Sequence, residues 1–309
     1  MTKKPRPPRL RIGLDLGGTK IEGILLGPAA GGSENVIARE RIPAPRGDYR
    51  ATIAAIAALA ARLREAAGAE ASIGIGMPGS ISRKTGRVQN ANSTWLNGQP
   101  FDRDLEAALE RPVRLANDAD CFALSEAVDG AGASARTVLG VILGTGCGGG
   151  IVVDKSLVTG PLGIGGEWGH NPLPWAARSE HPGRKCWCGR LGCLETWVSG
   201  PALELDHRRI TGEARPAAEI AARAADGDEG ARSTLGRHAS RLARGLAHVA
   251  NILDPEVIVL GGGLSRLAHL YDVLPGLMAQ HLFTDAPSVR ILPPKWGDSS
   301  GVRGAAWLW

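Results

Sequence analysis

The hydrophobic pattern of the first half of the chain predicts strands that alternate with helices. Apolar runs predict strands at residues 9–16, 21–26, 36–42, 72–77 and 113–116. Apolar residues at helical spacing predict a helix over residues 48–67, and a second helix follows Asn117 and Asp118 to about residue 128. This order is typical of an α/β fold with a mixed sheet.

The second half repeats this layout after a strand and a glycine turn. The pattern predicts strands at residues 137–143, 150–153, 257–260 and 289–292, and helices at about 216–226, 229–253, 264–281 and from 301. Residues 155–200 are predicted to be mostly loop. The strand–turn–strand unit around residues 144–146 resembles the one around residues 17–19, which predicts two similarly built lobes that face a common ligand.

Composition and charge exclude several classes of protein. The 309 residues allow two domains with a core that needs no disulfides, and much of the net charge of +5 comes from a basic run at the N-terminus. We find no basic helix suited to nucleic acid, no apolar stretch long enough for a membrane helix, and no signal peptide. The sequence therefore predicts a cytoplasmic protein that binds neither nucleic acid nor membranes.

Three glycine turns follow predicted strands and are candidates for binding a nucleotide. Glycines that turn with positive φ bring backbone N–H groups close to a phosphate, and a nearby aspartate would lie close to Mg²⁺. The candidate residues are Asp15, Gly17, Gly18, Thr19 and Lys20 in the first turn, Gly144, Thr145 and Gly146 in the second, and Gly261, Gly262 and Gly263 in the third. Each could be a plain turn, but three together favour a nucleotide site that is neither a Walker A loop nor a Rossmann fingerprint.

Asn117 and Asp118 end a predicted strand. A carboxylate at this position can accept a proton from a hydroxyl that attacks phosphorus. Asn and Asp are also the preferred N-caps of helices, and a helix follows. Position in the sequence does not decide between the two interpretations.

A cysteine cluster predicts a zinc site. Cys186, Cys188 and Cys193 lie within eight residues and need one further ligand, for which His170 is the first candidate and His181 the alternative. Glu167 and Glu195 flank these residues. They are either solvated surface charges or acceptors for the hydroxyls of a sugar.

With these motifs assembled, the chain resembles the ROK family of sugar kinases, transcriptional repressors and related proteins, from about residue 11 to residue 309. The resemblance implies a two-lobed hexokinase/actin-like ATPase (ribonuclease H-like) fold with a zinc-bound loop. Within the family, residues 90–100, 169–175 and 297–307 most resemble bacterial fructokinases, also called manno(fructo)kinases. The implied division is a flexible tail at 1–8, a small lobe at 9–117 plus 298–309, and a large lobe at 118–297.

The resemblance also implies roles for the candidate residues. Asp118 would be the catalytic base, His170 and the three cysteines would hold structural zinc, and the three glycine turns would bind ATP with Mg²⁺. The sugar would be bound by Gly79, Asn92, Asn117, Asp118, Glu167, His170 and Glu195. A homodimer is expected.

The predicted reaction is transfer of the γ-phosphoryl group of ATP to fructose, and also to mannose, at O6. An N-acetylhexosamine kinase is the second hypothesis and a glucokinase the third. A sugar-responsive regulator without catalysis is the hypothesis from another class. A DNA-binding repressor is disfavoured because only about a dozen residues precede the first predicted strand, too few for a helix-turn-helix domain.

Overall fold

The structure is a computed structural model that describes residues 10–28 and 34–309. The predicted flexible tail at 1–8 lies outside the described residues. The chain forms two compact units. The first contains the described part of Met1–Gly130 with Ser156–Gly165 and Asp298–Trp309, and the second contains Ala131–Lys155 and Gly166–Gly297. The lobe limits inferred from the family resemblance stay a prediction.

Strands and helices alternate through both units, which confirms the predicted α/β class. The strands are β1 (Leu10–Leu16), β2 (Lys20–Pro28), β3 (Glu34–Pro43), β4 (Ala71–Met77), β5 (Ser80–Ile81), β6 (Val88–Gln89), β7 (Arg114–Asn117), β8 (Thr137–Leu143), β9 (Cys147–Val153), β10 (Ser156–Leu157), β11 (Val257–Gly261) and β12 (Arg290–Leu292). The helices are α1 (Tyr49–Ala67), α2 (Phe101–Leu109), α3 (Asp118–Val128), α4 (Glu195–Val198), α5 (Gly200–Thr211), α6 (Ala217–Ala225), α7 (Glu229–Leu253), α8 (His269–Ala279) and α9 (Ser300–Ala306). Within the described residues, no helix is long and apolar enough to span a membrane.

The sheet of the first unit places three strand ends at one edge. Its strand order is β3-β2-β1-β4-β7, and β1, β4 and β7 run parallel to one another. Parallel strands end at the same edge, so Asp15, Gly79 and Asp118 lie in or next to the turns of that edge. Sequence order alone does not give this juxtaposition, because the turns are separated by a helix or a long loop.

Helix α9 packs on this sheet at backbone distance. A Cβ at Gly13 would lie 2.0 Å from the carbonyl oxygen of Val302, and one at Gly304 would lie 1.6 Å from that of Cys121. Glycine is therefore required at both positions, because any side chain would separate α9 from β1 or α3. This close packing holds the elements that carry Asp15 and Asp118 against one another.

The second unit has its own sheet and core. Within the unit the strand order is β9-β8-β11-β12, with β8 and β9 antiparallel and β8, β11 and β12 parallel. Helix α7 supplies much of the core through residues such as Leu242 and Leu246, which are fully buried. The unit thus has a hydrophobic core that does not depend on the cysteine cluster.

Three predictions about elements were incomplete. Helices α2 and α5 were not predicted, although the side chain of Ser199 accepts a hydrogen bond from Ala202 N and so caps α5. Strand β9 begins at Cys147 rather than at residue 150, because its glycines pair regularly with β8. The helix predicted at 264–281 is divided into a 3₁₀ turn at Gly263–Arg266 and α8.

Candidate functional site

The first glycine turn joins β1 to β2 as a tight hairpin. Gly17 N donates to Lys20 O at 3.0 Å, and neither Gly17 nor Gly18 has a positive φ, so the expected left-handed conformation is wrong for this turn. The hairpin forms without a left-handed residue at these two positions. Glycine here lacks a side chain that would cover the backbone, and this is the property that matters. A Cβ at Gly18 would meet nothing within 4 Å, so its backbone is open to a ligand on that side. Thr19 and Lys20 are exposed beside it.

Asp15 lies at the end of β1 among other acidic groups. Burial of its carboxyl, followed by repulsion from Asp118 and Glu22, raises the pKa of Asp15 to about 7, against a smaller opposing effect of Lys20. The carboxylates of Asp15 and Asp118 therefore interact within one unit. A cation beside them would relieve this repulsion, as expected of a site for Mg²⁺.

The raised pKa of Asp15 predicts a pH-dependent stability of the ligand-free protein. The pKa in the folded state, about 7, lies above the ordinary value of 3.8, so folding favours the protonated form. The stabilisation is complete below pH 3.8 and is lost as the pH rises to about 7. One such proton changes the free energy of unfolding by about 1.4 kcal/mol per pH unit.

Urea unfolding of wild type and Asp15→Asn at pH 5 and pH 8 isolates this effect. We expect the wild type to lose about 2–3 kcal/mol relative to the variant between these pH values. Parallel pH dependence of the two proteins would show that Asp15 ionises normally in the folded state.

Asn117 and Asp118 lie at the junction of β7 and α3. Oδ1 of Asn117 accepts from Ala119 N at 2.9 Å, so Asn117 is the N-cap that the alternative interpretation predicted. Its amide Nδ2 donates to Gly79 O at 3.1 Å, which joins two of the predicted sugar-binding positions. Asp118 is exposed, and its Oδ1 also accepts from Ala119 N, at 2.8 Å. Both side chains therefore accept from the same N–H group, and the exposed carboxylate of Asp118 is accessible to a substrate.

The loop at residues 90–97, which carries the predicted sugar-binding residue Asn92, contacts Gly79. Gly79 has φ +73°, and a Cβ there would lie 2.4 Å from Gln89 O and 2.7 Å from Ala91 N. Asn97 holds the loop through two hydrogen bonds with the backbone of Ala91, at 2.9 and 3.0 Å. Asn92 is exposed on this loop. The structure thus brings Gly79, Asn117 and the loop of Asn92 together.

In the second unit, the glycine turn after β8 contacts Glu195. Gly144 N donates to Gly146 O at 3.0 Å, and Thr145 is exposed at the tip. Glu195 Oε2 accepts from Cys147 N at 3.0 Å, and a Cβ at Gly146 would lie 2.8 Å from the same oxygen. A predicted sugar-binding carboxylate therefore rests directly on a predicted phosphate-binding turn.

The glycines after Cys147 have a packing role. A Cβ at Gly149 would lie 2.8 Å from the Trp168 ring, and one at Gly166 would lie 2.2 Å from Gly149 O. The indole Nε1 of Trp168 donates to Gly148 O at 3.0 Å. The turn that carries Glu167 and His170 therefore packs backbone to backbone on β9, which explains a glycine density that phosphate binding does not require.

The third glycine turn lies against the end of β8. Gly262 has φ +77°, and a Cβ there would lie 2.4 Å from Leu143 O. A side chain at Gly263 would meet nothing within 4 Å, so the backbone is open there. The residues that follow line a cavity of approximately 890 Å³ between α6, α7 and α8, with Arg266, Leu267, Leu235 and Ala239 on its walls.

The three cysteines converge on His170. Their ligand atoms and one ring nitrogen of His170 all lie within 4.8 Å of one another. Cys188 Sγ lies 3.6 Å from Cys193 Sγ, and Cys186 Sγ lies 3.7 Å from His170 Nδ1. A tetrahedral zinc ion with Zn–S bonds of about 2.3 Å requires S···S separations of about 3.8 Å, so this cluster could hold zinc. His170, and not His181, is the fourth member.

Several residues that support this cluster were missed by sequence analysis. Glu180 is buried and accepts from Arg241 Nε at 2.9 Å and from Arg244 Nη1 at 2.9 Å, which ties the loop before the cysteines to α7. Trp187 donates from Nε1 to Glu195 Oε1 at 2.7 Å. The only sequence signal for Trp187 was its place between two predicted zinc ligands.

Comparison with known proteins indicates the same family as these motifs. The family model of the ROK family matches residues 11–309. The N-acetyl-D-glucosamine kinase of Yersinia enterocolitica is 40% identical over 300 residues, which cover 96% of this chain and 98% of that protein. The ROK hexokinase of Thermus thermophilus superposes with a TM-score of 0.84 at 30% identity, over 96% of this chain and 97% of that one.

A further similar solved structure is that of a complex with ligands. It is a ROK family glucokinase from Streptomyces griseus in complex with glucose and AMPPNP, with a TM-score of 0.73 at 27% identity, over 96% of this chain and 98% of that one. The chain therefore belongs to the ROK family of sugar kinases, as its motifs predicted.

Proposed function

We propose that this protein is an ATP-dependent N-acetylhexosamine kinase that phosphorylates N-acetylglucosamine. The observation that carries the choice of sugar is the 40% identity, over nearly the whole of both chains, with a relative that is an N-acetyl-D-glucosamine kinase. The sequence motifs alone favoured fructose, with an N-acetylhexosamine as the second hypothesis. The relatives support that second hypothesis better than the first.

In the proposed mechanism, Asp118 accepts the proton of the attacking sugar hydroxyl. Its carboxylate is exposed at the start of α3 and is held by Ala119 N. Asn117, bonded to Gly79 O, fixes the strand end on which Asp118 is placed. Phosphoryl transfer needs little covalent chemistry from the protein, so positioning and charge neutralisation provide most of the acceleration.

The glycine turns provide the ATP site in this proposal. Gly17 and Gly18 with Thr19 and Lys20, and Gly144 to Gly146 with Thr145, bind the phosphates. Asp15 would hold Mg²⁺, and the ion would supply positive charge that offsets the charge of the phosphates. The open backbone at Gly263 and the largely apolar cavity beside it suit the adenosine part, because a base and ribose bury well against small apolar residues.

Glu195 and His170 provide sugar contacts in this proposal. Glu195 accepts from Cys147 N and from Trp187 Nε1, yet a carboxylate has about four acceptor positions, so two sugar hydroxyls can still bind. His170 directs Nδ1 toward Cys186, which leaves Nε2 to bond a sugar oxygen while the zinc cluster fixes the ring. Glu167, exposed on the same turn, is the third proposed contact.

A coupled assay of ADP release with MgATP tests the proposal. N-acetylglucosamine, N-acetylmannosamine, glucose, fructose and mannose are compared by kcat/KM. We expect N-acetylglucosamine to exceed fructose by at least about tenfold, because a site that accommodates an acetamido group leaves its polar groups unpaired with other sugars.

A preference for fructose or glucose would contradict the proposed substrate, N-acetylglucosamine, but would agree with the proposed kinase activity. Sugar binding without ADP release would indicate the non-catalytic regulator instead.

A homodimer stays a prediction from the family resemblance. Light scattering during size-exclusion chromatography measures the oligomeric state.

A further inference from the structure

Trp187 contacts two residues of the proposed sugar site at once. Its indole Nε1 donates to Glu195 Oε1 at 2.7 Å, and its ring meets the His170 ring edge-on, with centroids 5.0 Å apart at 83°. A large aromatic side chain usually buries most of its surface, yet 67% of this one is exposed. A core role does not explain why it is held in this position.

The backbone of Trp187 is held on both sides. Cys186 and Cys188 belong to the candidate zinc cluster, Cys186 N donates to Arg190 O at 2.8 Å, and Gly189 N donates to Cys186 O at 3.0 Å. The indole therefore extends from a fixed turn, and its hydrogen bond is directional. A rigid donor of this kind restricts the carboxylate to one orientation at little cost in side-chain entropy.

The bond from Trp187 completes a two-point support for Glu195. Oε2 accepts from Cys147 N at 3.0 Å, beside the Gly144–Gly146 turn, and Oε1 accepts from Trp187. Without the indole, Oε1 would have only the distant Cys186 Sγ at 3.8 Å as a partner within the described part of the chain. The carboxylate could then rotate about χ3 of Glu195, and its remaining acceptor positions would no longer be fixed.

We propose that Trp187 is a positioning residue that orients Glu195 and His170 for the sugar hydroxyls. The inference rests on the proposed function, because it assumes that these two residues bind the sugar. Trp187 itself takes no part in phosphoryl transfer. Its loss should weaken sugar binding and leave the ATP site and the chemical step in place.

Two variants separate its contacts. Trp187→Phe removes the N–H donor and keeps an aromatic ring near His170, and Trp187→Leu removes both. We expect the KM and the calorimetric Kd for the sugar to rise about fivefold in Trp187→Phe, the size expected for the loss of one typical hydrogen bond. We expect about twentyfold or more in Trp187→Leu, with kcat and the KM for ATP within about twofold of wild type.

Trp175→Phe is the matched control. Trp175 is another exposed tryptophan of the second unit, 52% exposed and stacked on His281 with ring centroids 4.9 Å apart. The same substitution there should leave sugar binding unchanged. Zinc content and thermal midpoint are measured on all three variants. If Trp187 had only a structural role, its loss would change the zinc content and the thermal midpoint as well as the KM for the sugar.

Intrinsic fluorescence gives a second, independent measurement. The sugar should change the emission of wild type and of Trp175→Phe, and this change should be much smaller in Trp187→Phe. Unchanged sugar affinity in both Trp187 variants would overturn the inference, as would loss of zinc with an equal fall in every kinetic constant. Failure of the proposed function is a different result, since it would appear in the wild type as absence of sugar phosphorylation.

Discussion

Asp118→Asn should lower kcat for sugar phosphorylation by at least about a hundredfold, the usual contribution of general-base catalysis. The amide keeps the size of the side chain and can still accept from Ala119 N, as the carboxylate does at 2.8 Å. It cannot accept the proton of the sugar hydroxyl. The effect should therefore fall on kcat, while the Kd for the sugar changes little.

Single-turnover kinetics with MgATP and calorimetric titration of the sugar measure the two quantities separately. Asp120→Asn is the charge-matched control, because Asp120 lies in the same first turn of α3. We expect it to keep kcat within about a few-fold of wild type. Near wild-type turnover in Asp118→Asn would remove Asp118 from the mechanism, and an equal loss in both variants would indicate a general effect of charge near Asp15.

Cys188→Ser should release the zinc and disable the sugar site without unfolding the second unit. Bound zinc would join His170 to the loop of Cys186 and Cys193, so its loss would free the residues that place Glu195. We expect zinc content to fall from about one per chain to well below that, and the sugar KM to rise by at least about tenfold, as when support for a metal site is lost.

Two features of the second unit argue that it stays folded. Its core includes fully buried residues of α7 such as Leu242 and Leu246, and Glu180 is bound to Arg241 and Arg244 independently of any metal. Far-UV circular dichroism should therefore be retained, with a lower thermal midpoint. Cys121→Ala is the control, because Cys121 is buried outside the cluster and its loss should leave zinc content unchanged. Complete unfolding of Cys188→Ser would show that zinc is required for folding.

Local patterns in the sequence were sufficient to predict most of the helices and strands. Helix α1 was predicted from its apolar spacing, and the structure adds the Asp48 cap and a left-handed Gly68 at its end. Helix α5 was missed because two of its four buried residues, Asp206 and His207, are polar, which weakens its apolar pattern. Helix α2 has buried Phe101, Leu105 and Leu109 at helical spacing, so the sequence did contain its signal.

The choice of sugar could not be derived from motifs in this way. Residues 90–100 resembled fructokinases, whereas the 40% identical relative is an N-acetyl-D-glucosamine kinase. Specificity for one sugar over another depends on small differences in the placement of polar groups, and a short motif does not record such differences.

The sequence by itself determined the α/β class, the ROK family and the three cysteines of the cysteine–histidine cluster, because periodicity, glycine turns and ligand spacing are local properties. The structure decided that His170 rather than His181 is the fourth member of the cluster. Only the tertiary structure decided which residues meet. Parallel pairing of β1, β4 and β7 brings Asp15 near Asp118, close packing on β9 places Glu167 and His170, and folding of the cysteine loop sets Trp187 on Glu195. These contacts join residues far apart in the chain or depend on side-chain direction, and both are fixed by packing rather than by sequence spacing.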